Sequence, residues 1–187
     1  AAAHNNIGNL LRESNKVEKA INCFEKAIEI NPNDADVYNN LGNCYEELKN
    51  FKKAINCYEK AIELNPNYAD AHNNLGNSLI GLERTKEALD YYKKAIEIDS
   101  NYIKAHGNLG ITFYKLGEFQ KAISCHEKAI QLDPNNLNSH NNLGILFHQL
   151  GQFQNAKGYF KKAIQIDPNH PDANFSFGVF LLSMSDF

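Results

Sequence analysis

The sequence predicts an all-α array of antiparallel helix pairs, and three observations predict it. Asn40-Leu41-Gly42, Asn74-Leu75-Gly76, Asn108-Leu109-Gly110 and Asn142-Leu143-Gly144 recur every 34 residues, with Asn6-Ile7-Gly8 ahead in the same frame. Small residues keep step with them: Ala20, Ala54, Ala88, Ala122 and Ala156, then Ala27, Ala61, Ala95, Ala129 and Ala163. Pro32, Pro66, Pro134 and Pro168 close the units, with Ser100 in the equivalent position. A fixed period of this length means one supersecondary unit stacked on copies of itself, each burying its apolar face against its neighbours. Such an array offers a long binding surface and rarely an enclosed pocket for chemistry.

The units run 1–34, 35–68, 69–102, 103–136 and 137–170, and 171–187 holds the first helix of a sixth. Counting each unit as places 1–34, a first helix is predicted over places 1–14 and a second over places 17–31, where proline stops it. Asn33-Asp34, Asn67-Tyr68 and Asn135-Asn136 fill the connection between units, where Asn and Asp suit turns and N-caps. Gly117 and Gly151 suit the C-cap inside the unit, whereas Asn15, Lys49 and Glu83 at that place predict a less well-formed turn.

Helical phase gives the first helix a packing face at places 3, 4, 7, 8, 10, 11 and 14, which in the second unit are Val37, Tyr38, Leu41, Gly42, Cys44, Tyr45 and Leu48. Glycine inside a helix costs roughly 1 kcal/mol against alanine, so its regular use at place 8 predicts close helix approach. The second helix buries Ile55, Tyr58 and Ile62 and solvates Lys52, Lys53, Glu59, Lys60 and Glu63.

Composition narrows the partners. The 19 basic and 22 acidic residues leave a net charge of −3, without the basic stripe that nucleic acid or an anionic membrane would favour. No apolar run approaches the roughly 20 residues of a membrane span. The chain starts at Ala1 in repeat frame, as an excised fragment would. Cys23, Cys57 and Cys125 hold one place in different units, and stacked equivalents facing the same way are poorly placed for disulfides. Reduced structural thiols in an intracellular, cytoplasmic setting are expected.

The pattern W-x2-L-G-x2-Y…A-x3-F…P resembles the tetratricopeptide repeat over the whole chain. The tryptophan place is the departure, held here by His4, Tyr38, His72, His106 and His140; the final segment keeps Phe177-Gly178 for Leu-Gly. The resemblance implies a right-handed superhelical solenoid whose first helices line a concave groove.

Places 2, 5, 6, 9, 12 and 13 fall on that groove side. Place 6 is Asn6, Asn40, Asn74, Asn108 and Asn142; place 5 includes Asn39 and Asn73; place 9 includes Asn43 and Asn77. Asparagine is a mediocre helix former, so its retention at place 6 needs a cause. Three readings stay open: a relic of duplication, an amide bonding the neighbouring helix, or an amide pairing with a bound peptide backbone, which it can do in both directions. The last resembles the asparagine ladder in the repeats of O-linked N-acetylglucosamine transferase, and it lapses at Ser176. Farther along, Ile111, Ile145 and Val179 at place 9, with Tyr114 and His148 nearby, predict a more apolar half that offers side-chain pockets or simply packs adjacent helices.

Other chemistry is not expected. A carboxylate clamp of the chaperone-adaptor kind needs Lys at place 5 and Arg at place 6, and neither occurs. His72, His106 and His140 recur one per unit at a packing place, too far apart to share a metal, and His126 is likewise read as packed. No catalytic motif appears, and no cofactor, metal site or catalytic residue is predicted. The Asn174-Phe175-Ser176 triplet falls in a helix and is discounted as a glycosylation site. Phe175, Phe177, Phe180 and Phe187 leave the last helix without a clean polar face, which predicts self-association or a missing neighbouring helix.

The sequence therefore reads as a non-catalytic scaffold that binds an extended or partly helical segment of another protein. Two alternatives are the substrate-recruiting arm of a glycosyltransferase and a structural spacer that uses its edges.

Overall fold

The computed structural model describes residues 1–185, so Phe187 lies outside the described residues. Those residues form eleven helices and no strand. In order they are α1 (Ala2–Glu13), α2 (Val17–Ile30), α3 (Ala35–Glu47), α4 (Phe51–Leu64), α5 (Ala69–Gly81), α6 (Thr85–Ile98), α7 (Ile103–Lys115), α8 (Phe119–Leu132), α9 (Leu137–Gln149), α10 (Phe153–Ile166) and α11 (Pro171–Ser185). Two compact units divide at a repeat boundary: unit 1, Ala1–Tyr102, holds α1–α6, and unit 2, from Ile103, holds α7–α11.

Each repeat closes around its place 24 ring. Phe24, Tyr58, Tyr92, His126 and Phe160 are buried, among alanines of places 20 and 27 that are fully covered. A Cβ on Gly8, Gly42, Gly76, Gly110 or Gly144 would stand 2.5–2.7 Å from that ring, which is why place 8 is glycine. Nothing lies within 4 Å of a Cβ on Gly178, whose helix has no such ring against it. In unit 1 the core runs from Val17 and Phe24 to Val37, Leu41 and Cys44. Leu48, expected to pack, is 44% exposed, because place 14 has become the cap residue beyond the helix end.

The turn inside each repeat corrects one expectation. Asn15, Lys49 and Glu83 adopt φ of 56°, 56° and 62°, the left-handed conformation that Gly117 and Gly151 also adopt at 74° and 72°. All five turns make the same bonds: Glu83 N donates to Ile80 O and Arg84 N to Leu79 O, as Gly117 N does to Tyr114 O and Glu118 N to Phe113 O. The turn without glycine is as well formed. Between repeats, Asn31, Asn65, Asp99, Asp133 and Asp167 each accept from the backbone N–H two residues on, and Asp34 and Asn136 cap α3 and α9.

His72, His106 and His140 of the tryptophan place are packed, as expected. His72 and His140 are each 6% exposed and donate from Nε2 to the carbonyls of Pro66 and Pro134 at 3.0 Å. In unit 2, α11 is seated by rings: Phe180, 2% exposed, lies against Phe160 and edge-on to His148. Ser183 Oγ donates to Phe180 O and accepts from His148 Nε2 at 3.0 Å. The cysteines are free, and burial raises the thiols of Cys44 and Cys125 to about 11 and that of Cys57 to about 12. Among the described residues, no helix is long and apolar enough to cross a membrane.

Candidate binding face

The asparagines of unit 1 bond to one another across repeats. Asn40 Nδ2 donates to Asn5 Oδ1 at 3.1 Å. Asn74 Nδ2 donates to Asn39 Oδ1 at 3.2 Å and to Asn43 Oδ1 at 3.1 Å, and Asn74 Oδ1 accepts from Asn73 Nδ2 at 3.3 Å. Both amide hydrogens of Asn74 are therefore committed to the preceding repeat. Asn39 and Asn73, expected on the open groove, are only 6% and 2% exposed. Asn74 of the next repeat bonds to Asn39, and neither Asn39 nor Asn73 leaves a surface for a ligand.

Place 9 is tied to the ring behind it. The Tyr58 hydroxyl lies 2.9 Å from Asn43 Oδ1 and 2.8 Å from Glu46 Oε2, and the Tyr92 hydroxyl donates to Asn77 Oδ1 at 2.9 Å. Burial raises the Glu46 carboxyl above its ordinary range, and it raises the phenols of Tyr58 and Tyr92 as well. In front of these groups, Asn43, Glu46, Glu47, Asn74 and Asn77 line an open cleft of about 390 Å³ together with Arg12. Arg12 Nε lies 3.6 Å from Glu47 Oε1.

The same cleft recurs two repeats later, in unit 2. Ile111, Tyr114, Lys115, Asn142 and Ile145 occupy the places of Asn43, Glu46, Glu47, Asn74 and Asn77 and surround about 250 Å³, with His126 behind them. Its chemistry is inverted: two carboxylates are replaced by a phenol and an ammonium, and two amides by isoleucines. Ile111 is 40% exposed and lines the opening. His126 is 1% exposed; burial without a counter-charge pulls its imidazole down to about 4, so it is neutral at physiological pH.

Only the place 6 asparagine is common to both clefts, and its bonding differs. The acceptors that Asn74 finds at Asn39 and Asn43 are replaced, in front of Asn142, by Gly107 and Ile111, which have no polar side-chain atom. Among the described residues, the Asn142 side chain makes no hydrogen bond, and it faces the cleft half-buried. Asn6 is exposed on α1, and Asn40, Asn77 and Asn108 are half-buried. Places 12 and 13 put Arg12, Glu46, Glu47 and Lys115 on the groove side in the sequence without marking them as binding residues, and His126 was expected only as a packed ring. The signal was the pairing of place 24 with place 9, Tyr58 with Asn43 and Tyr92 with Asn77 against His126 with Ile111.

The Tetratricopeptide repeat model matches residues 35–68, 69–102, 103–136 and 138–170, and a TPR repeat model matches 8–49. The chain belongs to the tetratricopeptide-repeat family. Proteins of this family are interaction scaffolds and generally non-catalytic. Among solved structures, this tetratricopeptide-repeat chain is similar to YrrB, described as a TPR protein with an unusual peptide-binding site, at 28% identity over 94% of this chain and 90% of that one, with a TM-score of 0.73. It is similar to MamA at 27% identity over 87% of this chain and 95% of that one, TM-score 0.77. It shares its fold with pilF of Pseudomonas aeruginosa at 22% identity, 99% and 84% coverage and a TM-score of 0.88. No curated protein matches the sequence.

Proposed function

We propose that this chain is a non-catalytic scaffold that holds an extended or partly helical peptide segment against its first helices, with the segment's backbone on Asn142. The carrying observation is the uncommitted amide of Asn142 at the mouth of an apolar cleft, where its equivalent Asn74 is fully bonded within the fold. An amide offers one acceptor and two donors, so it pairs with a peptide unit in both directions. The apolar walls at Ile111 and Ile145 add a seat for one side chain, and buried anchors of this kind dominate peptide binding. The unit 1 cleft, with Glu46 and Glu47 beside Asn77, suits polar or cationic side chains. In this reading the likeness to the asparagine ladder of O-linked N-acetylglucosamine transferase narrows to Asn142 and the exposed Asn6; Asn40 and Asn74 hold repeats together.

The test uses peptides selected by display against the full chain. Ile145→Asn installs the residue that repeats 1–3 carry at that place. Selected peptides are expected to lose at least tenfold in affinity on that variant while its helicity and melting stay unchanged. Peptides indifferent both to Ile145→Asn and to Glu46→Gln would sink the reading.

A second reading has its own observation. On α11, Phe175 is 74% and Leu182 is 70% exposed, a face suited to meeting a second copy of the chain. Phe177 and Phe180 take no part in it, because they are stacked into the unit 2 core.

A further inference from the structure

The two clefts differ in what stands behind them. In repeats 2 and 3, Tyr58 and Tyr92 send a phenol forward until its hydroxyl reaches Asn43 Oδ1 or Asn77 Oδ1 at 2.9 Å. Repeat 4 places His126 there, and its Nε2 lies 2.7 Å from where a Cβ on Gly110 would stand, much as the Tyr58 ring lies against Gly42. An imidazole is shorter than a phenol and ends earlier. The place 9 residue it faces is Ile111, which offers no polar contact. The region that a tyrosine tip fills in repeats 2 and 3 is thus open in repeat 4, as part of the 250 Å³ pocket.

His126 is 1% exposed, and its Nδ1 is buried with no hydrogen-bond partner. Leaving such a group unpaired is unfavourable in a buried setting. Phe24 and Phe160 show that place 24 accepts a ring without any polar atom. A polar ring is therefore not required there for packing.

The geometry points to a tyrosine seat in unit 2: the pocket takes a phenol, the side chain of a tyrosine in the bound segment, with its ring between Ile111 and Ile145 and its hydroxyl on the imidazole of His126. The inference rests on the peptide-binding reading above and names the residue that reading leaves open. The chain's own Tyr58 and Tyr92 show that a phenol hydroxyl fits the region just beyond the place 24 ring, where it finds a polar partner in repeats 2 and 3. A phenylalanine would fill the walls but leave the imidazole unpaired. Lysine or arginine would meet the Lys115 ammonium at the rim, which favours the face of a neutral aromatic ring instead. Asn142, on the same rim, is placed to hold the backbone from which that side chain descends.

The probes are 4-methylphenol and toluene, the side-chain analogues of tyrosine and phenylalanine, titrated into the full chain while the imidazole nitrogens of His126 and the amides of Ile111 and Ile145 are followed by NMR. The expected result is binding of 4-methylphenol about three- to tenfold tighter than toluene, the range one hydrogen bond supplies. His126→Phe, which reproduces the ring of repeats 1 and 5, is expected to keep its helicity and lose the preference. Equal binding of the two probes, a preference that survives in His126→Phe, or unmoved Ile111 and Ile145 signals would overturn the seat. Display-selected peptides separate this from the broader reading. Peptides that lose binding on Ile145→Asn yet carry no tyrosine refute the seat and leave the peptide reading standing. Peptides indifferent to Ile145→Asn and Glu46→Gln refute the peptide reading itself.

Discussion

Asn74→Ala would remove an amide that donates to two acceptors in the preceding repeat, one of them on the buried Asn39. Stranding a buried carbonyl costs about 1–3 kcal/mol, and that loss is expected in urea unfolding. Asn142→Ala breaks no such bond and is expected to stay within about 0.5 kcal/mol of wild type while weakening the selected peptides. Equal losses for the two variants would refute the distinction drawn between them. His126 supplies a second residue-level test. Its folded imidazole titrates at about 4 and an unfolded one near 6.5, so the unfolded chain binds the extra proton first as pH falls. The stability held by the neutral ring is complete above about pH 6.5 and drains away toward pH 4, on the order of 2 kcal/mol of it between pH 7 and pH 5. Carboxylates add their own slope in acid, so the measure is the difference from His126→Phe, whose unfolding free energy should fall less over that interval.

At the scale of elements, the 34-residue period made the helix limits readable, because places 1–14 and 17–31 map onto α3 and α4 to within a residue. What it concealed was the turn at place 15. Residue preference alone marks Lys49 and Glu83 as poor there, but the two helices and their shared bonds impose positive φ on whatever residue stands between them. The left-handed conformation costs a residue with a Cβ roughly 1–2 kcal/mol. Glu83→Gly is accordingly expected to stabilise the chain by about 1 kcal/mol, less the greater freedom glycine gains when unfolded. A melting temperature that falls instead would mean the glutamate side chain contributes something the turn geometry does not show. The binding face was half legible for a related reason. The asparagine stripe stands out in one repeat, whereas each amide's acceptor lies a repeat earlier in sequence. Only the loss of both acceptors, at Gly107 and Ile111, distinguishes Asn142 from Asn74.

At the scale of the whole molecule, the apolar surface of α11 carries a prediction about mass in solution. Phe175, Val179, Leu181 and Leu182 are 74%, 46%, 46% and 70% exposed on one helix, more contiguous apolar surface than a helix usually leaves in water. The only charged residue among positions 171–185 is Asp172, so nothing along the rest of α11 opposes the approach of a second apolar surface. Sedimentation is expected to show a mass above the 21.1 kDa of one chain at micromolar concentrations. Phe175→Ser combined with Leu182→Ser should return it to that value with helicity intact. Phe180→Ser gives the contrasting case. That ring is 2% exposed against Phe160 and His148, so its loss should cost about 3–5 kcal/mol of stability before it changes any association. A monomer at all concentrations, or an oligomer untouched by the double serine variant, would remove α11 as a contact between copies and leave the first-helix face as the surface that meets other proteins.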